Sequence, residues 1–307
     1  MKKQLLIAAM LMFAAFAARA QNPDTAAYMV HYKFSHLRDT NNRATPYTEN
    51  MALFLGKNSS VYKSYDKQLQ DALFKKQVKE AIASSPDGNI SIHTNHTASP
   101  IQYYQFPGEQ KLYRKESLVI NSYLIEAPLP TIDWKISGDT ASFGGMHCQK
   151  ATAHFKGRDY TAWFCPDMPF HAGPWKLNGL PGVILEAYDA KKEVVFKFDG
   201  IEKVAPAQPV AAAAEPQSAD RRMVMIGGDD SDTDPAVIQL PARAIKTTEK
   251  EFTKLQDAMR KDPNAFVQAM MASSGMNGPG NGPGPDKIKI KVGPQQVINN
   301  PIELPEK

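Results

Sequence analysis

The chain has 307 residues, of which 42% are hydrophobic and 22% are charged, an ordinary globular composition. Its 36 Lys and Arg residues against 32 Asp and Glu residues give a net charge of +4, which offers no electrostatic case for nucleic-acid binding. The length allows one large domain or two small ones.

The N-terminus has the pattern of a secretory signal peptide over residues 1–20. Lys2 and Lys3 form a basic region, an apolar run reaches Ala17, and Ala18-Arg19-Ala20 fits a small-x-small cleavage site. The run is short for a membrane span, although a retained anchor is the alternative. We therefore expect an exported protein with no transmembrane segment after cleavage, with 33 basic against 32 acidic residues in the mature chain.

Residues 21–204 read as a β-rich core. The stretch 27–34 alternates, with Tyr28, Val30, Tyr32 and Phe34 on one face, which predicts a strand with one buried side. A helix is predicted over 66–83, with an apolar stripe that includes Leu69 and Leu73. Further strands are predicted at 51–55, 61–65, 101–106, 110–115, 117–126, 133–136, 139–143, 147–155, 159–165, 183–189 and 192–200.

The strands are separated by Gly, Pro and Asp residues without βαβ alternation, which favours antiparallel pairing. The predicted fold class is therefore α+β, mainly antiparallel β, with a curved sheet, a few helices and two flexible insertions. The first insertion is 205–236, rich in Ala, Pro and Asp. Residues 237–304 hold C-terminal helices and a closing strand in the same domain, with a second flexible tract, rich in Gly and Pro, at 275–285.

Two helix starts are marked in the C-terminal part. Thr248-Glu249-Lys250-Glu251 is a capping box that opens a helix with Phe252 on its apolar face. Asp262-Pro263 restarts a second helix, with Asp as N-cap and Pro at the first helical position.

The two cysteines lie in a predicted hairpin that turns at Lys156-Gly157, where Gly accepts a positive φ. A symmetric turn there pairs Cys148 with Cys165, and His154 with Asp159. Opposed cysteines in a secreted chain predict a disulfide, worth about 3 kcal/mol on the chain-entropy argument. Metal binding is the alternative, but no ligand spacing typical of a zinc site is present.

The sequence Gly179-Leu180-Pro181-Gly182-Val183-Ile184 follows the hairpin. Pro before Gly predicts a type II turn, and we interpret it as a rigid corner that leads into the strand at 183–189. The alternative is a presented loop, in which Trp163, Phe170 and Trp175 are possible partner contacts.

These segments resemble the GLPGLI family of exported Bacteroidetes proteins. The resemblance rests on Cys148-x-Lys150-Ala151, Gly157-Arg158, Ala162-Trp163-Phe164, the 179–184 turn and the terminal Asn300-Pro301-Ile302-Glu303-Leu304. Val183 replaces the usual Leu. The resemblance implies export and a shared mainly-β fold, and it implies no reaction.

No nucleophile elbow, paired-histidine zinc motif, phosphate loop or dinucleotide fingerprint occurs in the sequence. Asp230-x-Asp232-x-Asp234 resembles part of a calcium loop but lacks its Gly and Glu. We predict no metal and no cofactor. We expect an exported, periplasmic or outer-membrane-associated protein that binds an envelope protein or a lipid, with an envelope hydrolase or an apolar-ligand carrier as alternatives, and with unknown catalytic residues.

Overall fold

The computed structural model describes residues 23–84, 98–119, 121–205, 236–273 and 297–306. The predicted signal peptide, most of the 205–236 insertion, the tract at 275–285 and the aspartates of the calcium-like stretch lie outside the described residues. So does the closing strand that we predict around Ile288, Ile290 and Val292.

The described residues form fourteen strands and three helices. The strands are β1 (Asp24–Thr25), β2 (Tyr28–His36), β3 (Tyr47–Leu55), β4 (Ser60–Ser64), β5 (Gln102–Phe106), β6 (Lys111–Leu118), β7 (Asn121–Pro128), β8 (Lys135–Phe143), β9 (Met146–Phe155), β10 (Arg158–Cys165), β11 (Val183–Asp189), β12 (Val194–Lys203), β13 (Val237–Ile238) and β14 (Ile245–Thr247). The helices are α1 (Tyr65–Ser84), α2 (Glu249–Lys261) and α3 (Pro263–Ser273).

Twelve strands form one sheet in the order β14-β7-β6-β5-β4-β3-β2-β12-β11-β10-β9-β8, and β1 pairs with β13 in a separate two-stranded sheet. Neighbouring strands are antiparallel except β14 and β7, which run parallel. The fold is α+β and mainly antiparallel β, as the strand spacing predicts. Most strands follow one another in sequence and in space, because short turns can join antiparallel neighbours directly.

The sheet must curve around the chain between β10 and β11, which we call the inner loop (166–182). Gln105 on β5 donates to the Trp175 carbonyl at 3.1 Å, and the Trp175 ring lies 5.7 Å from the Phe155 ring on β9. These strands are seven neighbours apart in the sheet, roughly 34 Å if it were flat. One indole can approach both only if the sheet wraps around it. Trp175, Leu177 and Leu180 are consequently buried in the main core.

Several element boundaries differ from those predicted. The two strands predicted at 133–136 and 139–143 form the single strand β8, whose register against β9 shifts between Ile136 and Thr140. The predicted apolar stripe of α1 is wrong, because Leu69 is 47% and Leu73 60% exposed. The strand at 28–36 buries Met29 as well as its predicted face, because a second apolar cluster covers the other side of the sheet.

The C-terminal helices pack against β7, next to the β14 edge of the sheet. Phe252 on α2 is fully buried against Tyr123 of β7, with ring centroids 5.3 Å apart. Both predicted helix starts are confirmed. Thr248 and Glu251 form the reciprocal capping box, and the Asp262 carboxylate accepts from the Ala265 amide at 3.0 Å.

Candidate functional site

The predicted hairpin register is confirmed. His154 lies opposite Asp159, Thr152 opposite Thr161, and Lys150 opposite Trp163. The His154 Nδ1 and Asp159 Oδ1 atoms are 2.7 Å apart. This agreement follows from the turn, since Gly157 has a φ of +69° that glycine adopts without strain. A Cβ at Gly157 would also lie 2.7 Å from the Leu304 carbonyl oxygen, so the C-terminal residues pack directly on this turn.

Cys148 and Cys165 come next in the same register, and the structure holds them as neighbouring free thiols. Their residues are 1% and 0% exposed. Burial, and then the adjacent Cys165 thiol, raise the pKa of Cys148 to about 12. A thiol with that pKa is protonated at neutral pH and is a poor nucleophile. Both cysteines lie next to the last register pair, Gln149 with Phe164, and the disulfide stays a prediction.

The turn at 179–184 is tighter than the type II turn that the sequence predicts. Gly182 donates its amide to the Leu180 carbonyl at 2.8 Å, which makes a three-residue turn centred on Pro181. The φ of Gly182 is +151°, and an added Cβ would lie 2.2 Å from the Cys165 carbonyl oxygen. The glycine is required because the end of β10 occupies the space that a side chain would need.

Buried hydrogen bonds hold the inner loop and the start of β11 inside the sheet. Tyr32 donates its hydroxyl to the Ile184 carbonyl at 2.6 Å, and Trp134 donates its indole N–H to the Asn178 carbonyl at 2.7 Å. Trp175 is 2% exposed, so its ring is not presented at the surface of the described structure. Its ring fills the core between Phe155 and Phe196 instead. The rigid-corner interpretation describes this turn better than a presented loop.

The other two predicted contact residues, Trp163 and Phe170, are partly exposed and lie at one end of the sheet. Pairing and ring contacts bring together in this region the start of β2, the part of β12 around the register shift at Phe198, the end of β10 and the β8–β9 turn. Five partly exposed aromatic residues lie there, which we call the aromatic rim: Tyr28, Phe143, Trp163, Phe170 and Phe198.

Ring contacts join these residues in two groups. Phe143 lies 6.0 Å from Trp163 and 6.1 Å from Phe198, and Tyr28 lies 5.8 Å from Phe170 in an edge-to-face arrangement. All five rings also pack against the main core, so their positions are fixed from behind. The rim is thus a preorganised aromatic surface, which loses little side-chain entropy when a partner covers it.

The opposite end of the sheet is polar and buried. Arg158 donates to the Asp189 carboxylate at 2.8 Å, to Asn300 Oδ1 at 2.7 Å, and to the carbonyls of Pro301 and Ile302 at 2.7 and 3.0 Å. The Arg158 side chain is 2% exposed and that of Asp189 is 4% exposed. A buried charge pair is stable only when its remaining hydrogen-bonding capacity is filled, and here the C-terminal residues fill it.

The surface of the described residues includes an open groove of about 580 Å³ and another of about 310 Å³. The larger is lined by Thr152, His154, Asp159 and their neighbours. The Asp159 carboxylate, and then the Glu306 carboxylate at 3.0 Å, accept hydrogen bonds from the His154 ring and raise the pKa of His154. Because both ring nitrogens face carboxylates, neither is placed to activate a hydroxyl nucleophile. The smaller groove lies beside Glu49 and Leu69.

In the described part of the chain no three His, Cys, Asp or Glu side chains converge as metal ligands. Across the same residues no helix has both the length and the apolar character needed to cross a bilayer.

Comparison with known proteins gives a local family match. Residues 155–186 match the family described as Protein of unknown function (Porph_ging), a segment that spans β10, the inner loop and the turn at 179–184. No curated protein matches the chain. Two structures of PNGF-II, in space groups C2 and P21, are similar with a TM-score of 0.47 and 9% and 8% identity. The matches cover 75% of this chain and 32% and 33% of those chains, so the chain spans about a third of their length.

Sequence reasoning missed two parts of this arrangement. The contacts between Arg158 and Asn300 join residues 142 positions apart. Both belong to segments that carry the family resemblance, and that shared membership is the one signal that could have linked them. Phe143 and Phe198 were also missed: Phe143 ends β8 beside a turn, whereas Phe198 lies inside β12 next to the register shift at Gly200, which the sequence marks only by that glycine.

Proposed function

We propose that the chain is an exported cell-envelope protein of the GLPGLI type that binds an envelope partner, a protein or a lipid, through the aromatic rim and without catalysing a reaction. The observation that carries this proposal is the gathering of five partly exposed aromatic rings at one end of the sheet. Aromatic side chains supply large contact areas at low cost in conformational entropy, and they are enriched at interfaces.

The alternatives receive less support from the described residues. A carrier of an apolar ligand needs room inside the curved sheet, and Trp175, Leu177 and Leu180 fill that position. A hydrolase needs a free acid or base beside a nucleophile. His154 is the histidine in the larger groove, and Asp159 and Glu306 engage both of its nitrogens.

We further propose that Cys148 and Cys165 form a disulfide after export. The last register pair of the hairpin, Gln149 with Phe164, is adjacent to both cysteines, which supports this proposal, and oxidising compartments favour such bonds. The bridge would fix the end of β10. Trp163 belongs to this part of the strand, and Gly182 packs against it. Labelling of thiols in the unfolded, unreduced protein tests this: an oxidised pair gives no labelled cysteine, and two labelled cysteines would reject the bond.

The binding proposal is tested by recovering partners of the tagged chain from native envelopes in mild detergent, with mass spectrometry of proteins and lipids. The rim variant is Trp163→Ser combined with Phe170→Ser. A matched control is Ile245→Ser, which removes an apolar side chain that is 46% exposed at the β14 edge of the sheet.

We expect the wild-type chain and the Ile245→Ser control to recover the same partner, and the rim variant to recover at least about tenfold less. Far-UV circular dichroism and urea unfolding establish that all three proteins are folded. Equal recovery with the folded rim variant contradicts the proposal. Turnover of envelope substrates by the purified chain would favour a hydrolase instead.

A further inference from the structure

The C-terminal residues 297–306, here called the tail, fill a site built from distant parts of the chain. The site consists of residues 36–40 after β2, the hairpin turn at 156–158, and residues 189–193 between β11 and β12. These three segments meet at the end of the sheet opposite the aromatic rim. The tail contacts the site through several hydrogen bonds and ion pairs; Ile302 also packs against the main core, whereas Val297 and Ile298 are 62% and 54% exposed.

Asn300 is the centre of the contact and is 6% exposed. Its side chain accepts from Arg158 at 2.7 Å and donates to the Leu37 carbonyl at 2.7 Å and to Glu193 at 3.2 Å. Its backbone carbonyl pairs with His36 Nε2 at 2.9 Å. Burial is the main cause that lowers the pKa of His36 to about 4, so a neutral ring donates to that carbonyl at physiological pH.

The neighbours of Asn300 add contacts on both sides. Leu304 donates its amide to the Lys156 carbonyl at 3.0 Å, which places the tail across the hairpin turn. Glu303 pairs with Lys176 of the inner loop and with Lys156 at 3.3 Å. Burial opposes the ionisation of Glu303, but these lysines outweigh it and lower the pKa of Glu303. The site therefore contacts the Asn300 side chain and the Glu303 carboxylate directly, the Pro301 and Ile302 residues through their backbone carbonyls, and the Ile302 side chain through the main core.

The chain segment that links helix α3 to the tail is long enough that the tail is not forced to bind in its own molecule. The described part of helix α3 reaches Ser273 and packs near β7 through Met270, five strands from β2 and so roughly 24 Å away in the sheet. The 23 residues between Ser273 and Val297 can span up to roughly 80 Å when extended. That length reaches the site in the same molecule and also allows the tail to reach a second molecule.

We propose that this site is a peptide-recognition site for an Asn-Pro-Ile-Glu segment, which it binds as a separable ligand, from its own tail in the monomer and from the tail of a second copy when copies meet. Recognition depends on Arg158, because its guanidinium donates to Asn300, Pro301 and Ile302 of the tail and would keep only acidic side-chain partners in a vacant site. The proposal concerns the end of the molecule opposite the rim and does not depend on the function proposed for the rim.

The test uses the full chain with Asn300→Ala, which weakens the resident tail and leaves the site intact, and a fluorescent peptide of residues 297–306 as the probe. Fluorescence anisotropy should show the peptide binding to this variant at least about tenfold more tightly than to the wild-type chain. The difference arises because a tethered tail competes at an effective concentration on the order of millimolar. The control peptide, with the same Asn300→Ala change, should bind at least about tenfold more weakly.

A second arm works even if Asn300→Ala impairs folding. The chain with Lys176→Glu should prefer a peptide with Glu303→Lys to the unmodified peptide, and the wild-type chain should show the opposite preference. A third measurement requires both variants to be folded: mixing an Arg158→Met chain, whose tail is intact, with the Asn300→Ala chain should give a heterodimer that neither forms alone. The proposal is overturned if a folded Asn300→Ala chain binds both peptides equally or not at all, and if charge reversal leaves the peptide preference unchanged.

Discussion

The turn at Gly182 makes the sharpest prediction about what stabilises this fold. In Gly182→Ala the new Cβ would lie 2.2 Å from the Cys165 carbonyl oxygen, 2.6 Å from its carbonyl carbon and 2.9 Å from Pro166 N. These are backbone atoms, which cannot rotate away as a side chain could. The φ of +151° adds strain that costs about 1–3 kcal/mol in a residue other than glycine. Displacement of packed backbone costs roughly another 1–3 kcal/mol.

The expected loss is therefore about 2–6 kcal/mol of an unfolding free energy that is typically about 5–15 kcal/mol. Urea unfolding followed by circular dichroism measures it, and with a slope on the order of 3 kcal/mol/M the midpoint should fall by at least about 0.6 M. The loss should appear with the cysteines reduced, because the clash involves the backbone and not the sulfur atoms.

Two glycines supply matched controls for this experiment. Gly179 has a φ of +89°, and its added Cβ meets only the Trp134 ring at 3.9 Å, so Gly179→Ala should lose about 1–2 kcal/mol from strain alone. Gly138 has open space around its Cβ position, and Gly138→Ala should stay within about 0.5 kcal/mol of wild type. If Gly182→Ala unfolds at the same urea concentration as Gly138→Ala, the close approach to Cys165 does not exist in solution and the argument fails.

Three further predictions concern the cysteine pair and the tail site. If Cys148 and Cys165 oxidise, adding reductant should lower the unfolding free energy by about 3 kcal/mol, and an unchanged urea midpoint would contradict this. Arg158→Met should destabilise by about 3–5 kcal/mol, because the Asp189 carboxylate would stay buried without its cation; a change under 1 kcal/mol would show that water reaches Asp189. Because the pKa of His36 is lower in the folded state than in the unfolded chain, its contribution to stability is present above about pH 6.5 and is lost as the pH falls toward 4. His36→Gln should flatten that part of the pH profile of urea midpoints, and an unchanged profile would exclude His36 as its cause.

The features that the sequence predicts well are those set by neighbouring residues. The hairpin register follows from one turn at Lys156-Gly157, because fixing two turn residues fixes every pair along both strands. The capping box at Thr248 and the helix start at Asp262 depend on contacts three residues apart. Strand boundaries were accurate to a few residues wherever Gly, Pro or Asp interrupts the pattern.

The features that the sequence did not predict depend on distant contacts. The sequence of the inner loop shows two tight turns, but nothing local says that Trp175 faces inward between β9 and β12 and not toward a partner. The apolar stripe of α1 shows the converse error, because hydrophobic periodicity does not reveal whether another element covers that face. Leu73 is 60% exposed although it continues the stripe.

The hairpin β9–β10 joins the two ends of the molecule, and this gives its sequence two separate constraints. At one end Cys148, Cys165 and Trp163 meet the turn at Gly182 and the aromatic rim. At the other end Gly157 and Arg158 meet the tail. A change at Gly182 should therefore disturb the rim without weakening peptide binding at the tail site. A change at Arg158 should do the reverse, as long as the sheet between them stays folded. If each change reduced both partner binding at the rim and peptide binding at the tail site in folded proteins, the two ends would be coupled through the hairpin.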